Sequence, residues 1–210
     1  MKHLSLILII LILSCCPLHP AYAFFDKDIR LLTMRDGLAD NTIPCIYKDE
    51  DGFMWFGTDN GLSRYDGKTI QNFKPANTYV SIAAIVRLSD DFLGIVSDGY
   101  LYYFNRKRET FLPIHTESDT AIGVFNVLPA DDSSFWGISG NRLILCQWEI
   151  QQGKEEEKTA VRVRIQKTFQ LLEEKGEVFS SLCYHEKAGS GIWLTTNRGN
   201  LILFHPDTPE

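Results

Sequence analysis

An all-β chain made of repeated small sheets is what this sequence predicts, and three observations predict it. Beyond the first two dozen residues, no ten-residue stretch shows helical periodicity. A strand–turn–strand motif, usually led by Trp, recurs at intervals near forty residues. Gly, Asp and Asn gather at the junctions, where tight turns need them. Four short strands in a unit of about 40 residues is the pattern of a propeller blade. The expected fold is therefore an all-β β-propeller of about four blades, each a four-stranded antiparallel sheet. It would form either a partial arc of a larger propeller or a small closed ring.

Composition narrows the function classes. The 210 residues are 44% hydrophobic and 23% charged, with a net charge of −6. That is an ordinary globular balance, which excludes wholesale disorder and a fibrous repeat. The acidic excess argues against nucleic acid as a partner, because phosphate binding needs clustered Lys and Arg.

Residues 1–23 read as a cleaved export signal. Lys2 supplies a positive start, Leu4 to Leu13 is an uncharged run that is apolar at every position but Ser5, and Ala21-Tyr22-Ala23 is an A-x-A cleavage pattern. A run of ten residues reaches about 15 Å as a helix, half of a bilayer core. The rivals are an uncleaved anchor or lipidation at Cys15. Export predicts a periplasmic location for residues 24–210, which meet the membrane only through the signal or a missing C-terminal part. Cys45, Cys146 and Cys183 then remain, an odd number with no zinc-like spacing, and read as buried free thiols.

The repeat organises the rest. Trp55-Phe56-Gly57-Thr58-Asp59-Asn60-Gly61 has a counterpart in Trp193-Leu194-Thr195-Thr196-Asn197-Arg198-Gly199. Weaker copies start at Leu93 and Trp136, so the anchors 55, 93, 136 and 193 lie 38, 43 and 57 apart. The long last interval holds the charged insert 151–158, expected as the tip of a hairpin between Cys146–Ile150 and Val161–Phe169. Blades are expected near 43–73, 82–114, 124–171 and 179–204. Ile29–Thr33 is a strand candidate without a blade, and the fourth blade ends at Phe204 without an outer strand. Cys45 and Cys183, each ten residues before a Trp, are expected at equivalent inner-strand positions.

With Asp36-Gly37-Leu38, Asn41 and the run Asp49 to Gly67, the first unit resembles the two-component regulator propeller repeat, found in the periplasmic sensor region of hybrid two-component histidine kinases of Bacteroides-like bacteria. The first unit matches over about thirty residues and the fourth moderately. The resemblance implies a non-catalytic sensor propeller, the N-terminal part of such a receptor. It further implies oligo- or polysaccharide fragments as ligand, and the remainder of the receptor or a second propeller as partner. The alternative is a free-standing exported scaffold that binds a protein.

Sites are expected on loops, with blades holding them rigid. Repeat symmetry puts the turns after each anchor strand on one face, and their tips carry Asp59, Asn60, Ser97, Asp98, Asn141, Asn197 and Arg198. Amide, hydroxyl and carboxylate groups suit a hydroxyl-rich ligand; the competing reading is that these residues simply form good turns. Trp148 and Tyr100 could add stacking faces, against a competing reading as buried aromatics. Trp55, Trp136 and Trp193 are expected to pack between blades. Asp49-Glu50-Asp51-Gly52 resembles the start of a calcium loop but lacks its distal ligands, and reads as a tight turn. No catalytic constellation, cofactor or metal site is expected.

Overall fold

The computed structural model describes residues 29–74, 80–116, 123–151, 160–185 and 191–206. The expected export signal and most of the expected hairpin tip lie outside the described residues. Residues 32–210 form one compact unit.

That unit is a β-propeller of four sheets taken in sequence order. The first sheet comprises β1 (Cys45–Lys48), β2 (Met54–Thr58), β3 (Gly61–Tyr65) and β4 (Ile70–Phe73). The second holds β5 (Ile82–Arg87), β6 (Phe92–Ser97), β7 (Tyr100–Asn105) and β8 (Thr110–Pro113). Between the second and third lies β9 (His115–Thr116), which pairs in parallel with the outer strand of the third. The third sheet is β10 (Asn126–Pro129), β11 (Ser134–Ser139), β12 (Arg142–Gln151) and β13 (Ala160–Gln170). The fourth has three strands, β14 (Phe179–Tyr184), β15 (Ile192–Thr196) and β16 (Leu201–Phe204). Innermost strands adjoin in the order β1, β5, β10, β14.

Because side chains alternate along a strand, each sheet has a leading face toward the next sheet and a trailing face toward the previous one. Three cores fill the three junctions. The first packs Trp55, Leu62 and Phe73 against Leu93, Ile95 and Phe104. In the second, Val86, Val96 and Tyr103 meet Phe135, Ile144 and Trp148. The third joins Trp136, Ile138 and Leu143 to Leu182, Ile192 and Leu194.

Register corrects two expectations. Trp55 pairs with Tyr47, Trp136 with Leu128 and Trp193 with Cys183, while Val86 pairs with Gly94. The position equivalent to the Trp in the second sheet is therefore Gly94, not Leu93, which points the opposite way into the first junction. A one-residue shift moves a strand residue to the other face. Likewise Cys183 matches Tyr47, not Cys45, because the turn before β15 is longer than the one before β2. Cys183 is exposed on the leading face of the fourth sheet, whereas Cys146 is buried and Cys45 half-buried.

No strand forms at Ile29–Thr33. Thr33 instead caps a short 3-10 turn at Met34–Asp36, in which the Asp36 carboxylate accepts the Thr33 N–H at 2.9 Å and Gly37 closes the turn at φ 111°. Those capping bonds satisfy the backbone of Thr33 and of the turn locally.

Indole N–H groups follow a rule of their own. Trp55 donates to Asp49 Oδ2 at 2.7 Å and Trp193 to His185 Nδ1 at 2.8 Å, each acceptor just past the innermost strand. The second sheet, lacking its own Trp, receives one from the third: Trp148 donates to the carbonyl of Leu88, the matching position, at 3.1 Å. Gly94 is needed there, since an added Cβ would lie 2.7 Å from Val86 Cγ1.

Candidate binding face

The turns β2–β3, β6–β7, β11–β12 and β15–β16 emerge on one face, together with the segments that lead into each first strand. Most sequence-predicted site residues are used here to tie the turns to those segments. Asp59 Oδ1 accepts from the Ser81 hydroxyl at 2.7 Å, and Asn60 Nδ2 donates to the Ala39 carbonyl at 3.2 Å. Asn141 Nδ2 reaches the Leu172 carbonyl at 3.5 Å. Asn197 accepts from the Val178 N–H at 3.1 Å and donates to Gly176 O at 3.2 Å. Arg198 pairs with Glu174 and donates to Lys175 O at 2.9 Å. Ser97 is buried, its hydroxyl 3.5 Å from Asp98.

Asp98 differs from the rest. It stands exposed at φ 50°, followed by Gly99 at φ 80°, so both central residues of this two-residue turn are left-handed. That backbone matches the twist of the flanking strands. The Val124 N–H donates to Gly99 O at 2.8 Å, which brings the Phe125 ring against the turn, its Cε1 only 3.2 Å from where a Gly99 Cβ would lie. Phe125 is 57% and Tyr100 49% exposed. The exposed Asp98 carboxylate thus stands on a turn that Phe125 flanks from the third sheet, while Tyr100, paired with Ser97, lies on the opposite face of the second sheet from the second junction. Sequence reasoning missed Phe125; its only signal was an aromatic immediately before an innermost strand. Trp148, the other stacking candidate, is buried in the second junction.

The opposite face holds a charged cleft of about 240 Å³ between the first two sheets. Asp49, buried at its floor, accepts from Phe53 N–H at 2.8 Å, from the Trp55 indole and from Arg106 Nη2 at 2.9 Å. Arg106 also pairs with Asp51 and donates to the Asp90 carbonyl at 2.7 Å. Asp49 to Gly52 is thus a turn, closed by the Gly52 N–H on Asp49 O at 3.2 Å, whose carboxylates bind a guanidinium from the next sheet. Burial raises the Tyr47 phenol above its ordinary pKa. Among the described residues, no group of three or more His, Cys, Asp or Glu side chains could hold a metal ion.

Residues 37–60 match the family model described as two component regulator propeller. Among solved structures, the extracellular domain of a putative one component system from B. thetaiotaomicron is similar at TM-score 0.56 and 17% identity, over 85% of this chain and 23% of that chain. The extracellular domain of a putative hybrid two component system from B. thetaiotaomicron gives 0.54 and 16%, over 86% and 31%. YCF48 from Cyanidioschyzon merolae gives 0.51 and 16%, over 81% and 54%. No curated protein matches the chain. At such identities the likeness is one of fold, and this chain spans 23% to 54% of the length of those three structures. It is a β-propeller that carries, at residues 37–60, the two-component regulator propeller repeat.

Proposed function

We propose that the chain is part of an extracytoplasmic ligand-sensing propeller, the N-terminal portion of a hybrid two-component sensor, and that it recognises oligo- or polysaccharide fragments without chemical transformation. The observation that carries the ligand class is the Asp98–Gly99 turn with its flanking rings. The apolar faces of Phe125 and Tyr100 can each stack on a sugar ring, and the Asp98 carboxylate can accept from sugar hydroxyls. Asp59, Asn60, Ser97, Asn141, Asn197 and Arg198 hold the turn face in shape around that spot. The repeat at 37–60 supports a sensing role, and the apolar leader at 1–23 supports export to the periplasm. No helix among the described residues is long and apolar enough to cross a membrane.

The test is calorimetric titration of the exported chain with a panel of oligosaccharides. Saturable binding to at least one, weakened tenfold or more by Phe125→Ala and by Asp98→Ala, is expected. Folded protein that binds no member of the panel, or binds equally well in both variants, contradicts the reading.

A further inference from the structure

We propose that the far end of the β12–β13 hairpin is a binding site for a small hydroxy acid, a ligand whose carboxylate is flanked by hydroxyls. The inference stands apart from the glycan reading, because the site lies at the rim opposite the Asp98 turn.

The observation is an overlong hairpin. On the third strand of the four sheets, the residues paired with the tryptophan position are Arg64, Tyr103, Leu145 and Leu203. Past that point β3 ends at Tyr65, β7 at Asn105 and β16 at Phe204, within one or two residues, whereas β12 runs on to Gln151. β13 accompanies it, with Val163 paired to Trp148, Arg162 to Glu149 and Val161 to Ile150. A neighbouring sheet of ordinary strand length therefore stops short of this end.

Its two faces differ. The trailing face carries Trp148, Val161 and Val163, all buried in the second junction, and their burial accounts for the extra length. The leading face carries Gln147, Glu149, Gln151, Arg162 and Arg164, all exposed, around a cavity of about 390 Å³. Packing asks only that such side chains be polar; it does not ask for a hollow of a size that holds a small molecule.

The residue types define the ligand. Arg162 and Arg164 point to the same face two residues apart, about 6.6 Å along the strand. The planar fork of a guanidinium takes both oxygens of a carboxylate. Glu149 stands directly across from Arg162 in register, yet no ion pair joins the two among the described residues. Two guanidiniums thus face one carboxylate, a positive spot on a chain whose net charge is −6. Gln147 is fixed by accepting from Gln166 Nε2 at 2.8 Å, and with Gln151 and Glu149 it supplies donors and acceptors for hydroxyls beside the bound carboxylate.

The experiment is calorimetric titration of the chain at low ionic strength with gluconate, with glucuronate and, as the uncharged control, with glucose. Saturable binding of at least one acid, and none of glucose, is expected. Arg162→Gln should weaken it tenfold or more, and Arg162→Lys less, since lysine keeps the charge without the fork. Binding of gluconate, with or without glucuronate, assigns the site to a free hydroxy acid; glucuronate alone assigns it to the acidic unit of a glycan. Asp98→Ala should leave this binding unchanged, so failure of the glycan reading at the turn face and failure here read out separately. If Arg162→Gln loses cooperative melting, Arg164→Gln takes its place with the same outcomes deciding. Binding of neither acid, binding indifferent to loss of the guanidinium, or glucose bound as tightly as the acids overturns the proposal. So does capture of a tetraglutamate peptide in place of both acids, which points to an acidic polypeptide instead.

Discussion

Removing the Trp148 side chain separates a tryptophan that fills a junction from one that merely decorates a hairpin. Trp148 is buried, stacks on Phe135 at 5.8 Å and donates its indole N–H to the Leu88 carbonyl across the second junction. Trp148→Ala opens a cavity between two sheets, worth about 3–5 kcal/mol by analogy with large-to-small core changes. Trp148→Phe keeps most of the bulk but leaves the carbonyl unpaired, at about 1–3 kcal/mol. With a urea slope of about 2 kcal/mol/M, the alanine variant should lower the unfolding midpoint by about 1.5–2.5 M. Circular dichroism of the chain at low concentration reads this directly. Trp193, half-buried on the face of the fourth sheet that no described sheet covers, provides the internal control, and Trp193→Ala should cost less than half as much. Equal losses at 148 and 193, or a midpoint unchanged by Trp148→Ala, would refute the view that the third sheet supplies the tryptophan the second one lacks.

Other outcomes follow from the same structure. Asp49→Ala strips three donors of their acceptor, and breaking so buried a pair should destabilise by about 3–5 kcal/mol in the same urea assay; a loss below about 1 kcal/mol would show the cleft floor to be structurally idle. Gly94→Ala forces a methyl group against Val86 and should cost about 1–3 kcal/mol. In dilute native protein a maleimide should modify Cys183 first, because burial pushes the Cys45 thiol up to about 11 and the Cys146 thiol up to about 12; equal rates at all three would contradict the burial. Thr69, through its backbone N–H and its hydroxyl, and the Lys68 N–H hold the Asp66 carboxyl at about 2. Its folded value lies below the unfolded one near 4, so its stabilisation is complete above about pH 4 and is lost toward pH 2. A carboxyl titration by NMR with a midpoint near 4 would show that the turn is not formed.

The fold was legible because it is periodic. Trp at 55, 136 and 193, with Gly and Asn after each, announces the same hairpin three times, and alternation between Val161 and Ile165 marks the outer strand of the third sheet. What escaped was whatever depends on register. Leu93 looks like an anchor by composition, yet it faces the other way, because a period of two leaves no margin for a one-residue error. Cys183 looks equivalent to Cys45 by distance from a Trp, but a longer turn breaks the count. The binding face was legible only as a set of turns. Which side chains those turns consume internally, as Asn60 and Asn197 are consumed, depends on partners far away in sequence. Phe125 and Arg106 were invisible for that reason: one meets Gly99 across a lead-in segment, and the other reaches Asp49 over 57 positions.

The borrowed indole also has a temporal side. In a chain made from its N-terminus, the ion pair between the first two sheets can form as soon as Arg106 is present to meet Asp49. The second sheet has to wait. Its forward surface keeps a gap until residue 148 arrives, and the strand that backs that residue, β13, comes later still. The second junction is thus completed only by residues of the third repeat and its long hairpin.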